Sequence, residues 1–272
     1  MHSLSPARCL APLIAALLAL SACQMLTDTG LSLGLVAPAP PPPGPPGPAE
    51  ALASGRAAEA AGNLDEAIRW YTVAADQNDT AARLRLGALF VAGNGVAQDF
   101  AGALHWLTPP AEAGNAEAQL RLGLIHDLGG TGVLQNRGLA LDWYLRAAAQ
   151  GLPAAQFRAG QLLTSAQPGT ADARALALYR QAAAQGYPQA ETALGTMFQQ
   201  GRGVTRDLGL AAQWYRRGAE AGDPEGMLQL GLLYDTGAGI PENHALANQW
   251  FQRAAAAGSE PARLRLAMPD LR

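Results

Sequence analysis

Few side chains in this sequence could bind a metal ion or act as a nucleophile. After the first 22 residues the histidines are His105, His126 and His244, and the cysteines of the chain are Cys9 and Cys23. No two histidines have the spacing of metal ligands, and no cysteine lies near them in the sequence. The sequence therefore predicts no metal site and no cofactor.

The other titratable residues form no pattern typical of an active site. All 19 basic residues are arginines, which excludes a Schiff-base lysine and a phosphate-binding lysine. Glu112, Glu117, Glu220 and Asp223 are spaced like a solvated rim, whereas catalytic carboxylates need a cleft. The net charge of −3 gives no indication of a nucleic-acid partner. We therefore expect a protein that is not an enzyme.

Residues 1–22 have the features of a signal peptide. An apolar run over residues 10–20 is too short to span a bilayer. It ends in Leu20-Ser21-Ala22-Cys23, which resembles the lipobox of bacterial lipoproteins. That resemblance implies lipidation of Cys23 and attachment to a membrane. Because Gln24 and not aspartate follows, it also implies the outer membrane of a Gram-negative envelope, facing the periplasm. The alternative is an ordinary signal peptide with an incidental cysteine.

Residues 23–50 predict a lipidated cysteine followed by a tether. The stretch from Ala37 to Pro48 is dominated by proline and cannot form a regular helix or sheet. It should adopt extended polyproline II, with a rise of about 3.1 Å per residue. A ligand for a proline-binding domain is the alternative reading, but a spacer fits a membrane-anchored chain better.

The rest of the chain consists of repeats, so any functional site must lie on these repeats. A glycine in an alanine- and leucine-rich stretch recurs at steps of 36, 37, 35 and 36 residues, and a tryptophan keeps the same interval. Leu178 takes the place of the tryptophan in one unit. Such a period predicts a solenoid. The recurring residues are Gly87, Gly123, Gly160, Gly195 and Gly231, with Trp70, Trp106, Trp143, Trp214 and Trp250.

Each unit has the signals of two helices joined by a tight turn. The repeat glycine costs helix stability, so we expect it to allow close approach of the second helix. A Gly-x-Gly turn follows, and the second helix should begin after Asp99, Asn136, Asp207 or Asn243 as an N-cap. A glycine near the end of the second helix predicts its termination.

These residues resemble a known family. Ala-x-Ala-x-x-x-Leu-Gly, Gly-x-Gly-Val-x-x-Asp, Ala-x-x-Trp-Tyr and Ala-Ala-x-x-Gly are similar to the Sel-1-like repeat, a relative of the tetratricopeptide repeat. We assign five such repeats and a short C-terminal capping helix to residues 80–272, and a tetratricopeptide-like helix pair to 51–79. The resemblance implies an all-α fold, a right-handed α-solenoid of antiparallel helix pairs.

One unit, residues 153–187, departs from the pattern. It carries Thr164 to Thr170 where the others have the Gly-x-Gly-Val turn, and it lacks the tryptophan. Drift in one copy of a tolerant array is the simpler interpretation. A special loop that redirects a partner surface is the other.

The resemblance implies an interaction scaffold. We expect a membrane-anchored periplasmic adaptor that holds an envelope protein or peptide in an assembly, export or signalling system. The alternative is a module that binds peptidoglycan or another polysaccharide, and a hydrolase is least favoured. The sequence does not indicate an oligomeric state.

The partner surface should lie on the first helix of each unit, at positions that face the inner side of the solenoid. The apolar members of this set could equally form core between repeats. If they are exposed, the neighbouring acids favour an apolar and basic partner segment. The candidate residues are Leu84, Glu117, Leu120, Leu124, Asp127, Phe157, Gln161, Gln199, Leu228 and Asp235.

Overall fold

The computed structural model describes residues 46–267 except 94, 131, 167, 168 and 170. The predicted signal peptide, Cys23, most of the tether and the last five residues lie outside this part of the chain. The described part folds into thirteen α-helices and contains no strand. The predicted all-α solenoid of helix pairs is confirmed.

The helices follow one another in pairs, with a first and a second helix in each unit. Their bounds are α1 Pro48–Ala60, α2 Leu64–Asp76, α3 Thr80–Ala92, α4 Phe100–Glu112, α5 Ala116–Leu128, α6 Arg137–Ala149, α7 Pro153–Ala166, α8 Asp172–Ala184, α9 Pro188–Gln200, α10 Leu208–Glu220, α11 Pro224–Thr236, α12 His244–Ala256 and α13 Glu260–Ala267. None of them has the length and apolar character needed to cross a membrane.

Helix α1 includes the last three residues of the predicted tether. Pro48 lies in its first turn, where a proline's fixed φ suits a helix and its missing N–H costs no hydrogen bond. The last residues assigned to the tether, 48–50, are therefore helical.

The predicted N-caps start the second helices. Asp99, Asn136, Asp207 and Asn243 each accept a hydrogen bond from the backbone N–H three residues later, at 2.9–3.0 Å. Each bond satisfies one of the donors that a helix start leaves unpaired. These caps fix where the second helix begins and so which of its faces meets the first helix.

The repeat glycines lie at the contact between the two helices of a unit, as predicted. A methyl group on Gly195 would lie 2.6 Å from the Tyr215 ring, and one on Gly231 would lie 2.6 Å from the Phe251 ring. Gly123 faces Tyr144 in the same way. The ring that covers each glycine belongs to the residue after the tryptophan position.

Consecutive first helices contact each other directly at two places in the array. Helix α3 contacts α5 and α9 contacts α11, whereas no two consecutive second helices within the described part come as close. The first helices therefore line the inner side of the solenoid, and the second helices form its outer side.

The irregular unit, residues 153–187, is held in place by hydrogen bonds from the unit that follows it. Arg202 donates through Nη2 to Asp172 Oδ1 at 2.6 Å and through Nε to Asp172 Oδ2 at 3.2 Å. The same Nη2 donates to the Thr164 carbonyl oxygen at 2.9 Å. The arginine of one turn thus holds both sides of the segment that replaces the turn in the preceding unit.

Candidate functional site: the inner groove

Two adjoining cavities on the inner side form the candidate site. The larger has a volume of about 370 Å³ and the smaller about 140 Å³. Both are lined by Tyr179, Ala193 and Thr196, so they form one depression, which we call the inner groove. Its other lining residues are Phe157, Gln161, Thr164, Gln189, Thr192, Met197, Gln200, Arg202, Asp223 and Glu225.

Phe157 forms the apolar floor of the groove. It lies on α7, with 8% of its surface exposed, and its ring centroid is 5.9 Å from that of Tyr179 and 5.5 Å from that of Tyr187. Tilted aromatic rings at these separations stabilise one another. Phe157 is therefore held in place, and only a small part of its surface is accessible to a ligand.

Thr192 lines the groove with a smaller side chain than the equivalent residues of other units. Other units carry leucine or phenylalanine at this position, as at Leu120, Phe157 and Leu228. The Thr192 hydroxyl is buried and has no hydrogen-bond partner within the described chain. It lies beside Gly226, where a methyl group would come 2.6 Å from its oxygen. A buried hydroxyl without a partner costs about 1–3 kcal/mol, so this position is not optimised for stability.

The rim of the groove is polar and acidic. Gln161, Gln189 and Glu225 are exposed. The Glu225 carboxylate accepts a hydrogen bond from Gln229 Nε2 at 2.7 Å and has no ion pair with an arginine of the described residues. Asp223 is buried, and it caps α11 by accepting a hydrogen bond from the Gly226 N–H at 3.1 Å.

The predicted apolar row is largely core between repeats. Leu120, Phe157 and Leu228 are 9%, 8% and 7% exposed, while Leu84 and Leu124 are half-buried. Of the two readings left open by the sequence, inter-repeat core describes this row. Only Phe157 also lines the inner groove.

Several predicted polar residues have partners inside the protein. Tyr215 donates its hydroxyl to Gln199 Oε1 at 2.6 Å. Glu117 pairs with Arg121 at 2.6 Å, with Arg121 Nη2 as the donor. Asp127 lies 3.9 Å from Arg137 Nε, and its carboxylate adds to the rise that burial causes in the pKa of Tyr144. These contacts explain the polar character of Gln199, Glu117 and Asp127, and no ligand is needed to explain it.

Asp235 is engaged at the C-terminal end of the array. It accepts from Arg265 and forms a 2.9 Å contact with His244 Nδ1. Burial raises the pKa of Asp235, but the bonds to Arg265 and His244 outweigh it and lower the pKa below the usual range. Asp235 therefore helps to fasten α13 to the array.

Two polar residues that lie four positions after a helix-contact glycine, Glu59 and Gln199, accept a hydrogen bond from the tyrosine that covers that glycine. Tyr71 donates to Glu59 Oε2 at 2.7 Å, as Tyr215 does to Gln199. Where the second helix carries Leu107 in place of tyrosine, the corresponding residue is the apolar Val91. Sequence reasoning missed this pairing, although the matched change from polar to apolar was visible in the sequence.

A second polar cavity, of about 510 Å³, lies at the N-terminal end between α1, α2 and α3. Arg85 and Tyr71 both bond to Glu59 there, and the Arg85 bond lowers the pKa of Glu59. Burial and the Glu59 bond raise the pKa of Tyr71 to about 12. Because these groups already satisfy one another, the cavity is less suited to a ligand than the inner groove.

The tryptophans do not form an open platform for sugars. All five are half-buried. Arg146, Arg217 and Arg253 each lie over a tryptophan ring, at 4.5, 4.7 and 4.2 Å from its centroid. The described residues also contain no group of three or more His, Cys, Asp or Glu arranged to hold a metal ion.

The family model of the Sel1 repeat matches six consecutive segments of the chain. The first is the pair interpreted from the sequence as tetratricopeptide-like, and the other five coincide with the predicted Sel-1-like units. The segments are 51–79, 80–115, 116–152, 153–187, 188–223 and 224–259.

Solved structures show the same relationship. A Sel1 repeat protein from Oxalobacter formigenes is 32% identical with a TM-score of 0.71, and the match covers 80% of this chain and 87% of that one. A protective antigen of uropathogenic Escherichia coli with an SLR fold, c5321, is 32% identical with a TM-score of 0.69, over 80% of this chain and 48% of the antigen.

More distant structures share the fold alone. The immunity protein Pa5087 from Pseudomonas aeruginosa is 20% identical with a TM-score of 0.52, and the match covers 81% of this chain and 86% of that protein. No curated protein matches the sequence.

Proposed function

Because the chain belongs to the Sel1 repeat family, we propose that it is a scaffold that holds a segment of a partner protein in the inner groove. Proteins of this family generally mediate protein interactions and are generally not enzymes. The observation that carries the proposal is the inner groove itself, a depression with a fixed aromatic floor and an exposed polar rim.

The chemistry of the groove suits an extended polypeptide. Gln161 and Gln189 can each donate and accept hydrogen bonds, which matches the N–H and C=O groups of an unpaired main chain. Phe157 offers a small apolar contact between them. Glu225 favours an arginine or lysine in the partner, because its exposed carboxylate lacks a cation within the described chain.

Reversal of the rim charge tests this proposal. Glu225→Arg should weaken partner binding by roughly three- to tenfold, because it opposes a basic segment with a like charge. Glu220→Arg, on the exposed end of α10, makes the same change outside the groove and should bind like the wild type. The affinity of each variant for the purified partner is measured by calorimetry. Equal affinities for the two variants would contradict a basic segment in the groove.

We also propose that the protein is anchored in the bacterial envelope through a lipid on Cys23, facing the periplasm. The support is the lipobox-like Leu20-Ser21-Ala22-Cys23 after a short apolar run. Both 32%-identical structures also come from Gram-negative bacteria. An anchored array would present the inner groove to a component of an envelope assembly, export or signalling system.

A further inference from the structure

The outer side of the solenoid has a gap where one unit lacks its tryptophan. Trp106, Trp143 and Trp250 each pack against a hydrophobic cluster that includes the preceding second helix. The fourth of the six units, residues 153–187, has Leu178 at this position, on α8. A cavity of about 310 Å³ remains there, between α6 and α8. We call it the outer slot, and it is lined by Leu145, Ala148, Ala149, Arg174, Ala177, Leu178 and Gln181.

The floor of the outer slot is apolar and preformed. Ala148 and Leu178 are 5% and 9% exposed, and Leu145 is half-buried. Leu178 and Ala148 belong to one hydrophobic cluster, and the cavity remains open beside them. Leucine is smaller than the tryptophan found at this position in the other units.

A second substitution in the same unit places a cation at the edge of the slot. Four residues before the tryptophan, three other units carry Leu139, Leu210 and Leu246, whereas the fourth unit carries Arg174. Arg174 is exposed and lines the slot, and the described residues offer it neither an ion pair nor a hydrogen bond. Its guanidinium is therefore available to a ligand.

The contacts of the tryptophans in the other units indicate which kind of ligand the outer slot could bind. In three of them a tryptophan in the corresponding position is covered by an arginine, with the guanidinium 4.2–4.7 Å from the ring centroid. In the fourth unit the covering position is Gln181, but Arg174 supplies a guanidinium from the other side. An incoming indole would thus find both an apolar floor and a cation to stack on.

We propose that the outer slot docks a tryptophan of a partner protein, beside an acidic residue that pairs with Arg174. The tryptophan would occupy the place that a tryptophan of this chain fills in the other units. The carboxylate would pair with Arg174, which borders the slot and has no ion pair or hydrogen bond among the described residues. This site lies on the second helices, so it is separate from the inner groove and does not depend on its function.

Capped peptides provide the probe. Acetyl-Gly-Trp-Glu-Gly-amide is titrated into the full chain labelled at leucine methyl groups, and the Leu145 and Leu178 signals are followed by NMR. We expect saturable shifts confined to the slot. The Ala-for-Trp peptide should give none, and the Gln-for-Glu peptide should bind about two- to fivefold more weakly, as expected for loss of an exposed ion pair.

Two variants complete the test. Leu178→Trp restores the residue found in the other units, so it should fold with an unchanged or raised Tm and lose peptide binding, read at Leu145. Arg180→Trp adds a tryptophan on the exposed surface of the same helix, outside the slot, and should bind like the wild type. Absence of saturable shifts in the wild type, or undiminished binding by Leu178→Trp, would overturn the proposal.

Discussion

A glycine and the side chain that covers it set the distance between the two helices of each unit. Gly55, Gly123, Gly160 and Gly195 face a tyrosine, Gly231 faces a phenylalanine, and Gly87 faces a leucine. The rings of Tyr71, Tyr144 and Tyr215 are fully buried. At each such position a glycine takes the place of a side chain that would favour the helix, and the two helices approach closely. The stability that the contact contributes therefore depends on how well the covering side chain packs against the glycine.

Gly123→Leu should lower the free energy of unfolding by about 1–3 kcal/mol, because its side chain would overlap the Tyr144 ring. Gly138→Ala is the matched control, since a methyl there meets only Asn136 Oδ1 at 3.4 Å. It should be neutral or stabilising by up to about 1 kcal/mol. Urea denaturation of both variants measures the difference. A Gly123→Leu protein as stable as the wild type would show that the contact does not constrain the helices.

At this scale the sequence predicted the glycine contacts but not the ring that makes them. Trp143 and Tyr144 recur with the same period, so periodicity alone could not tell which one faces the glycine. Adjacent residues differ by about 100° around a helix, and the start of the helix at its cap decides between them. Likewise, the bond from Tyr215 to Gln199 joins two helices, and its length depends on their spacing.

The irregular fourth unit shows how one element is held by its neighbour. Arg202 reaches back to Asp172 and to the Thr164 carbonyl, and the Gly169 N–H donates to Asp172 Oδ2 at 2.9 Å. The hydrogen bond from Arg202, against the opposing effect of burial, lowers the pKa of Asp172 below its ordinary value of 3.8. The sequence showed that this unit lacks the usual turn, but not that a residue 30 positions later replaces its contacts.

Asp172→Asn should destabilise the protein by about 1–3 kcal/mol at neutral pH, because the charged hydrogen bonds to Arg202 are lost. A carboxylate whose pKa is lowered by folding stabilises above its unfolded-state pKa and loses that effect as the pH falls through the folded-state pKa. The difference between wild type and variant should therefore be full above about pH 4 and shrink at lower pH. Denaturation at several pH values measures it.

Asp142→Asn is the control for this experiment, because Asp142 is exposed on α6. It should leave the stability near that of the wild type across the same range. A difference between wild type and Asp172→Asn that stays constant down to pH 2 would contradict the role assigned to the Asp172 carboxylate.

For the whole molecule, the repeat period was enough to predict the solenoid. The regular spacing of Gly87, Gly123 and Gly195, with caps and terminal glycines in step, left one architecture consistent with every segment. The position of the inner groove was not predictable, because it depends on the distance between first helices. Thr192 was visible as a break in the apolar row, but the groove beside it is also lined by Tyr179 from another helix.

The attachment to the envelope is testable on the whole protein. Cys23→Ser should abolish incorporation of labelled fatty acid and release the protein from membranes, because the serine has no thiol to accept a diacylglyceryl group. Fractionation with a salt wash measures the release, and Cys9→Ser, within the segment expected to be removed, is the control. A Cys23→Ser protein that remains in the washed outer-membrane fraction would contradict a lipid anchor.

Crosslinking in the cell can show which residues of the protein contact a partner. A photo-crosslinking amino acid is placed at Gln189, which lines the inner groove, and in a separate variant at Gln213, exposed on α10 outside it. We expect one dominant crosslinked protein from Gln189, identified by mass spectrometry and absent from Gln213. No protein crosslink from Gln189, or the same products from both positions, would contradict a partner in the inner groove.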